Sequence, residues 1–161
     1  MSLEIKDIEE LQTLFDKAYM IESNFELTME WDAYINSEED FKNLLFDLAH
    51  DSELHRKQIL ELSKKIEGIN IKEEFDKKNP MFDFSQMIDE AIFVKLIKYE
   101  KLALDLYTKI HNFTNKDFIK SHWNDDNYQE YFDKFNWLME EEKKHIKLIR
   151  DLVGKIEFVG D

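Results

Sequence analysis

Apolar residues recur along this chain at intervals of three and four, the period of a helix with one inward side. Four segments carry the pattern. From about Lys6 to Tyr34 the inward stripe is Ile8, Leu11, Phe15, Ala18, Glu22, Phe25 and Met29. From about Glu38 to Glu67 it is Phe41, Leu44, Leu48, Ser52, His55, Ile59, Leu62 and Ile66. A third runs from about Ser85 to His111 through Ile88, Ile92, Leu96, Glu100, Ala103, Tyr107 and Ile110, and a fourth from about Asp126 to Val153 through Tyr131, Phe135, Leu138, Glu142, His145, Ile149 and Leu152. Each predicts a long helix with one buried face.

The connections set the order of packing. Ser37-x-x-Asp40 resembles a capping box with Asp in place of Glu or Gln, so a short turn makes the second helix antiparallel to the first. Gly68 stands where a helix C-cap is expected. Residues 69–84 hold the only proline, and extended chain of that length spans a bundle helix. The third helix is therefore expected to start beside the start of the second and run parallel to it, with Phe75, Phe82 and Phe84 tacking the crossover to the bundle. A short helical turn is expected near Phe118, and Gly154 is expected to end the fourth helix. Residues 1–161 read as one all-α domain, a four-helix bundle with a long crossover between helices 2 and 3.

Each stripe is interrupted by groups that do not belong in an apolar core. Glu22, His55, Glu100, Glu142 and His145 all point inward, and an unpartnered inward carboxylate is expensive to bury. Cations, a hydrogen-bonding network or a water-filled pocket would satisfy them. With a rise of 1.5 Å per residue the five fall at roughly one height near the middle of the bundle. Glu142-x-x-His145 has the spacing that lets one helix offer a carboxylate and an imidazole to a single metal cluster. Tyr107 lies two turns from Glu100 on the same side, placed to bond a buried carboxylate. His50 points to the solvated side; His111 and His122 sit near helix ends; Trp31, Trp123 and Trp137 read as packing.

Composition narrows the chemistry. The absence of cysteine removes disulfides, iron–sulfur clusters and thiol catalysis. A net charge of −14 argues against nonspecific nucleic-acid binding, which needs clustered Lys and Arg. The N-terminal residues show no signal pattern and no apolar run reaches membrane-spanning length, so a cytoplasmic protein is expected.

With these residues in place the chain resembles the ferritin-like diiron-carboxylate proteins, particularly their rubrerythrin-like members without a rubredoxin domain. The resemblance spans nearly the whole chain as an order of helices and is specific at Glu22, His55, Glu100 and Glu142-x-x-His145. It implies a ferritin-like four-helix bundle holding two iron ions, or manganese. Glu22 and His55 would serve one ion, Glu100 and His145 would favour the other, and Glu142 would bridge. Tyr107 resembles the tyrosines that some members keep beside the metals, as a hydrogen-bond donor or an oxidisable side chain. The departure is Ser52, where the family places a second bridging Glu. Asp51, about 50 to 60° off the stripe, is the best substitute; water, an exogenous anion or Glu26 are the alternatives. Ala103 stands where rubrerythrins carry an extra Glu, which puts their ligand switching in question.

The implied activity is oxidation of Fe(II) by dioxygen or peroxide, of ferroxidase or peroxidase type, with a separate electron donor for a peroxidase. A diiron hydroxylase or oxidase, or a metal-free interaction protein with a buried Glu/His network, are the competing readings. Phe93, Ile97 and Leu104, off the third stripe, suggest a homodimer surface or the flank of a wide core face.

Overall fold

The computed structural model describes residues 3–26, 39–72 and 89–159, and its regular elements there are all helices: α1 (Ile8–Glu26), α2 (Glu39–Lys64), α3 (Asp89–Phe113), α4 (Lys116–His122) and α5 (Gln129–Val159). The four stripes are inward as the periodicity requires. Every described stripe residue of α2 and α3 is buried; in α1 only Ile8, and in α5 only Leu152, is left half-exposed.

Local chemistry explains the element ends. Asp7 accepts from the Glu9 amide at 2.9 Å, and Glu9 and Glu10 place negative charge in the first turn of α1. Asn115 caps α4 by accepting from Phe118 N at 2.8 Å, which makes the expected turn near Phe118 a defined short helix. The last turn of α2 tightens through Lys65 N to Leu62 O (3.0 Å) and Ile66 N to Ser63 O (3.3 Å), satisfying carbonyls that the α-helical pattern would leave free. Gly68 follows at φ +93°, and a Cβ there would lie 2.9 Å from Ile8 Cγ1. Glycine is required on both counts.

One end of the molecule is stitched by main-chain bonds. Ile5 N donates to Phe113 O and Asn115 N to Ile5 O, tying the start of α1 to the end of α3. Glu67 N donates to His122 O and Asn124 N to Lys65 O, tying the end of α2 to the segment before α5. Gln12 exchanges two bonds with the backbone of Asn70. The starts of α1 and α5 and the ends of α2 and α3 therefore meet at this end. α1 packs most extensively on α2 and α3 on α5, with smaller contacts between α1 and α3 and between α2 and α5. The aromatic core nearest that end is Phe15, Tyr131, Phe135 and Tyr107, with Phe15 edge-on to Phe135 at 5.6 Å.

Three expectations change. α5 continues through Gly154 to Val159, because one exposed glycine with nothing near its Cα weakens a helix without ending it. Phe93 is not a dimer-facing residue: it is buried and stacks on Phe41 of α2, while Ile97 packs against the core and Leu104 is half-buried. The apolar side of α3 is simply wide. The second helix ends at Lys64, a turn before Gly68. The capping box at Ser37, the crossover with Phe75, Phe82 and Phe84, Met29 and Trp31 lie outside the described residues.

Candidate metal centre

The site is built from a repeated local pattern. α2 presents Asp51-Ser52-x-x-His55 and α5 presents Glu141-Glu142-x-x-His145, while α1 and α3 contribute one carboxylate each, Glu22 and Glu100. Because residues three apart share a helix face, each histidine lies beside the residue three before it, and each preceding acid lies to one side. The helix packing faces these patterns toward each other. Glu22, Ser52, His55, Glu100, Glu142 and His145 are all about 1% exposed or less.

Distances divide the cluster into two groups with a common member. His55 Nδ1 lies 3.4 Å from Glu22 Oε1 and 3.2 Å from Glu142 Oε1. His145 Nδ1 lies 3.4 Å from Glu100 Oε2 and 3.6 Å from Glu142 Oε2. In each triad, Glu22–His55–Glu142 and Glu100–Glu142–His145, one ligand atom from every residue falls within 4.8 Å of the others. Glu142 gives one oxygen to each side. The two imidazoles stack at 5.5 Å between ring centres and 23° between planes, and Trp137 meets His55 edge-on at 5.3 Å.

The far side of each ring faces a different carboxylate. His145 Nε2 donates to Asp51 Oδ2 at 3.0 Å, and Glu141 Oε2 stands 4.0 Å from His55 Nε2. Asp51 is thus turned across to the other helix, on the opposite edge of the ring from Glu100 and Glu142, and it belongs to neither triad. The acid preceding Ser52 partners an imidazole. Glu141, off the inward stripe of α5, is only 17% exposed and joins His55 and His145 in a third close group. Its signal was available: it is to Glu142 what Asp51 is to Ser52.

Tyr107 donates its hydroxyl to Glu22 Oε1 at 2.5 Å, fixing that carboxylate from α3. Yet Glu22 Oε2, Glu100 Oε1 and Glu142 Oε2 are buried without a hydrogen-bond partner, as is Ser52 Oγ. His55 Nδ1 is likewise without a directed bond, although two carboxylate oxygens lie within 3.4 Å. Orphaned buried oxygens are costly unless something else meets them.

The electrostatics hold protons inside the cluster. Burial disfavours the His55 imidazolium, but Glu22 and Glu142 outweigh it and raise its pKa to about 10. Burial likewise opposes charge on His145, and Glu100 and Asp51 overcome it, raising the pKa far above the usual histidine range. Burial first, and Glu142 second, push the Glu100 carboxyl well above its ordinary value. Burial and the neighbouring Glu22 raise the Tyr107 phenol. Asp51, one-third exposed and hydrogen-bonded by His145, is held below the usual aspartate value.

Of the other candidates, His50 is exposed, His111 bonds Asn112, and His122 bonds Ser121 and the Phe118 carbonyl away from the cluster. Ala103 is buried without polar function. The Glu26 side chain lies outside the described residues. No described helix is long and apolar enough to cross a membrane. Comparison with protein-family models, with curated proteins and with solved structures returned no match.

Proposed function

We propose that the Glu/His cluster is a dinuclear metal centre and that the protein is a ferritin-like diiron-carboxylate oxidoreductase, oxidising Fe(II) with dioxygen or peroxide. The observation that carries this reading is Glu142, whose two oxygens belong to two separate carboxylate–imidazole triads. A salt-bridge network has no need of that division, whereas two cations sharing one bridging carboxylate do. The donor set fits: three carboxylates and two imidazoles suit iron or manganese, and each of the carboxylates carries an oxygen with no hydrogen-bond partner.

In this reading Glu22, His55 and Glu142 would hold one ion, and Glu100, Glu142 and His145 would hold the other. Bound iron supplies the electron and the open coordination position that dioxygen or peroxide needs. The protein does the rest. Asp51 accepts the Nε2 proton of His145, which keeps the Nδ1 lone pair aimed at Glu100 and Glu142. Tyr107 holds Glu22 through its hydroxyl, whose proton burial and the carboxylate keep in place. Leu138, Phe135 and Ala103, all fully buried beside the cluster on its own stripes, keep bulk water out. With no cysteine in the chain, reduction of the centre draws on a separate donor. The same reading makes the four long helices a ferritin-like bundle with a long crossover between α2 and α3.

The close His–carboxylate distances also suit a metal-free network in which protonated imidazoles neutralise the acids. Metal analysis after anaerobic Fe(II) addition separates the two. The metal-centre reading expects uptake that Glu142→Ala abolishes; the network reading expects none by either protein.

A further inference from the structure

Ser52 is an anomaly in the repeated pattern. Its counterpart in the α5 copy is Glu142, the bridging candidate, and its own helix offers no substitute because Asp51 is spent on His145 Nε2. A serine side chain is shorter than a glutamate by roughly one carboxymethyl group, so the bridging position on the α2 side lacks a carboxylate.

The hydroxyl itself is unusual. Elsewhere in the helices a buried or half-buried hydroxyl bonds back to the preceding turn: Ser23 to Tyr19 O at 2.7 Å, Ser63 to Leu60 O at 2.6 Å, Thr108 to Leu104 O at 2.7 Å. Ser52, 1% exposed, makes no such bond, and its Oγ has no partner at all. A buried O–H donor left unmet costs about 1–3 kcal/mol. It is a donor waiting for an acceptor.

Glu22, Glu100 and Glu142 are the fully buried acids of the cluster, and they alone supply carboxylates to the two triads that share Glu142. Asp51 and Glu141 sit behind the imidazoles, outside the two triads. A ligand that takes the place of the glutamate carboxylate lacking at Ser52 is anionic and small.

We propose that the Ser52 side of the centre is a binding site for an exogenous small monocarboxylate, of formate or acetate size, which bridges the two ions opposite Glu142 and accepts a hydrogen bond from Ser52 Oγ. This rests on the metal centre proposed above and assigns it an external fourth carboxylate. The site then assembles fully only when metal and carboxylate are both present, and by reciprocity each tightens the other.

The test is a Co(II) titration of the full chain in carboxylate-free buffer, with and without added acetate, followed by calorimetry and visible absorption. For the wild type, acetate is expected to tighten binding of the second ion by at least about tenfold, within the usual range for coupled ligands, and to alter the Co(II) spectrum. Ser52→Ala, which keeps the fold and removes the donor, should bind Co(II) with a weakened acetate response. Ser52→Glu should bind both ions without acetate and ignore its addition, since the carboxylate is now supplied internally. Co(II) uptake by the wild type that is indifferent to acetate, or a Ser52→Glu protein with the wild-type acetate response, overturns the subsite while leaving the metal centre standing. No Co(II) uptake at any acetate concentration overturns both.

Discussion

At the scale of single residues, the function of each polar group depends on which ring edge or oxygen it meets. Asp51 and Glu22 are both acids within reach of a histidine, yet Asp51 touches Nε2 and Glu22 touches Nδ1. Their losses should differ. Asp51→Ala leaves both triads intact but removes the anchor of His145, so metal affinity is expected to fall about 10–100-fold with stoichiometry unchanged, measured by competition with a chelator. Tyr107→Phe keeps the ring against Phe135 and strips the donor from Glu22; unfolding in urea should show a loss of about 1–3 kcal/mol in the metal-free protein. The pH dependence follows from His55. Its pKa rises from the unfolded value near 6.5 to about 10 on folding, so the metal-free protein gains stability that is fully present below about pH 6.5 and lost as pH climbs through about 10. His55→Gln should flatten that alkaline loss in thermal melts taken across the range, whereas an undiminished loss would assign it to other groups.

At the scale of elements, helical periodicity is a strong guide to what faces inward and a poor one to what happens across helices. Glu22, Ser52, His55, Glu100, Glu142 and His145 were legible because a polar residue in an otherwise apolar stripe is buried wherever the stripe is buried. Asp51 was legible as a candidate but its partner was not, and Glu141 was missed, since a side chain about 60° off the stripe turns toward whichever neighbour packs there, and single-helix geometry is silent about neighbours. Phe93 left two readings open for the same reason: the partner that buries it, Phe41, is on α2. Gly154 shows that a glycine's meaning lies in its backbone rather than in its identity. Gly68 has a positive φ and Ile8 against it, so Gly68→Ala should destabilise by about 1–3 kcal/mol. Gly154 sits in open helical space, where Gly154→Ala should stabilise by about 0.5–1 kcal/mol. Denaturant midpoints of the two variants should move in opposite directions.

At the scale of the whole molecule, the fold gathers groups that no single helix could use. Four helices each contribute at the same depth, and the end where α1, α2, α3 and α5 are stitched fixes their register. The resulting cluster of acids and imidazoles retains protons, and a cation bound there would displace them. Metal should therefore stabilise the protein through linkage while releasing protons to the buffer. If the cluster holds two ions about Glu142, the metal content of the loaded protein must record it. Inductively coupled plasma mass spectrometry after anaerobic Fe(II) loading and desalting tests it most directly: about two irons per chain are expected for the wild type in the presence of acetate, and none above background for Glu142→Ala. Iron-free wild type, or equal iron in both proteins, would contradict it.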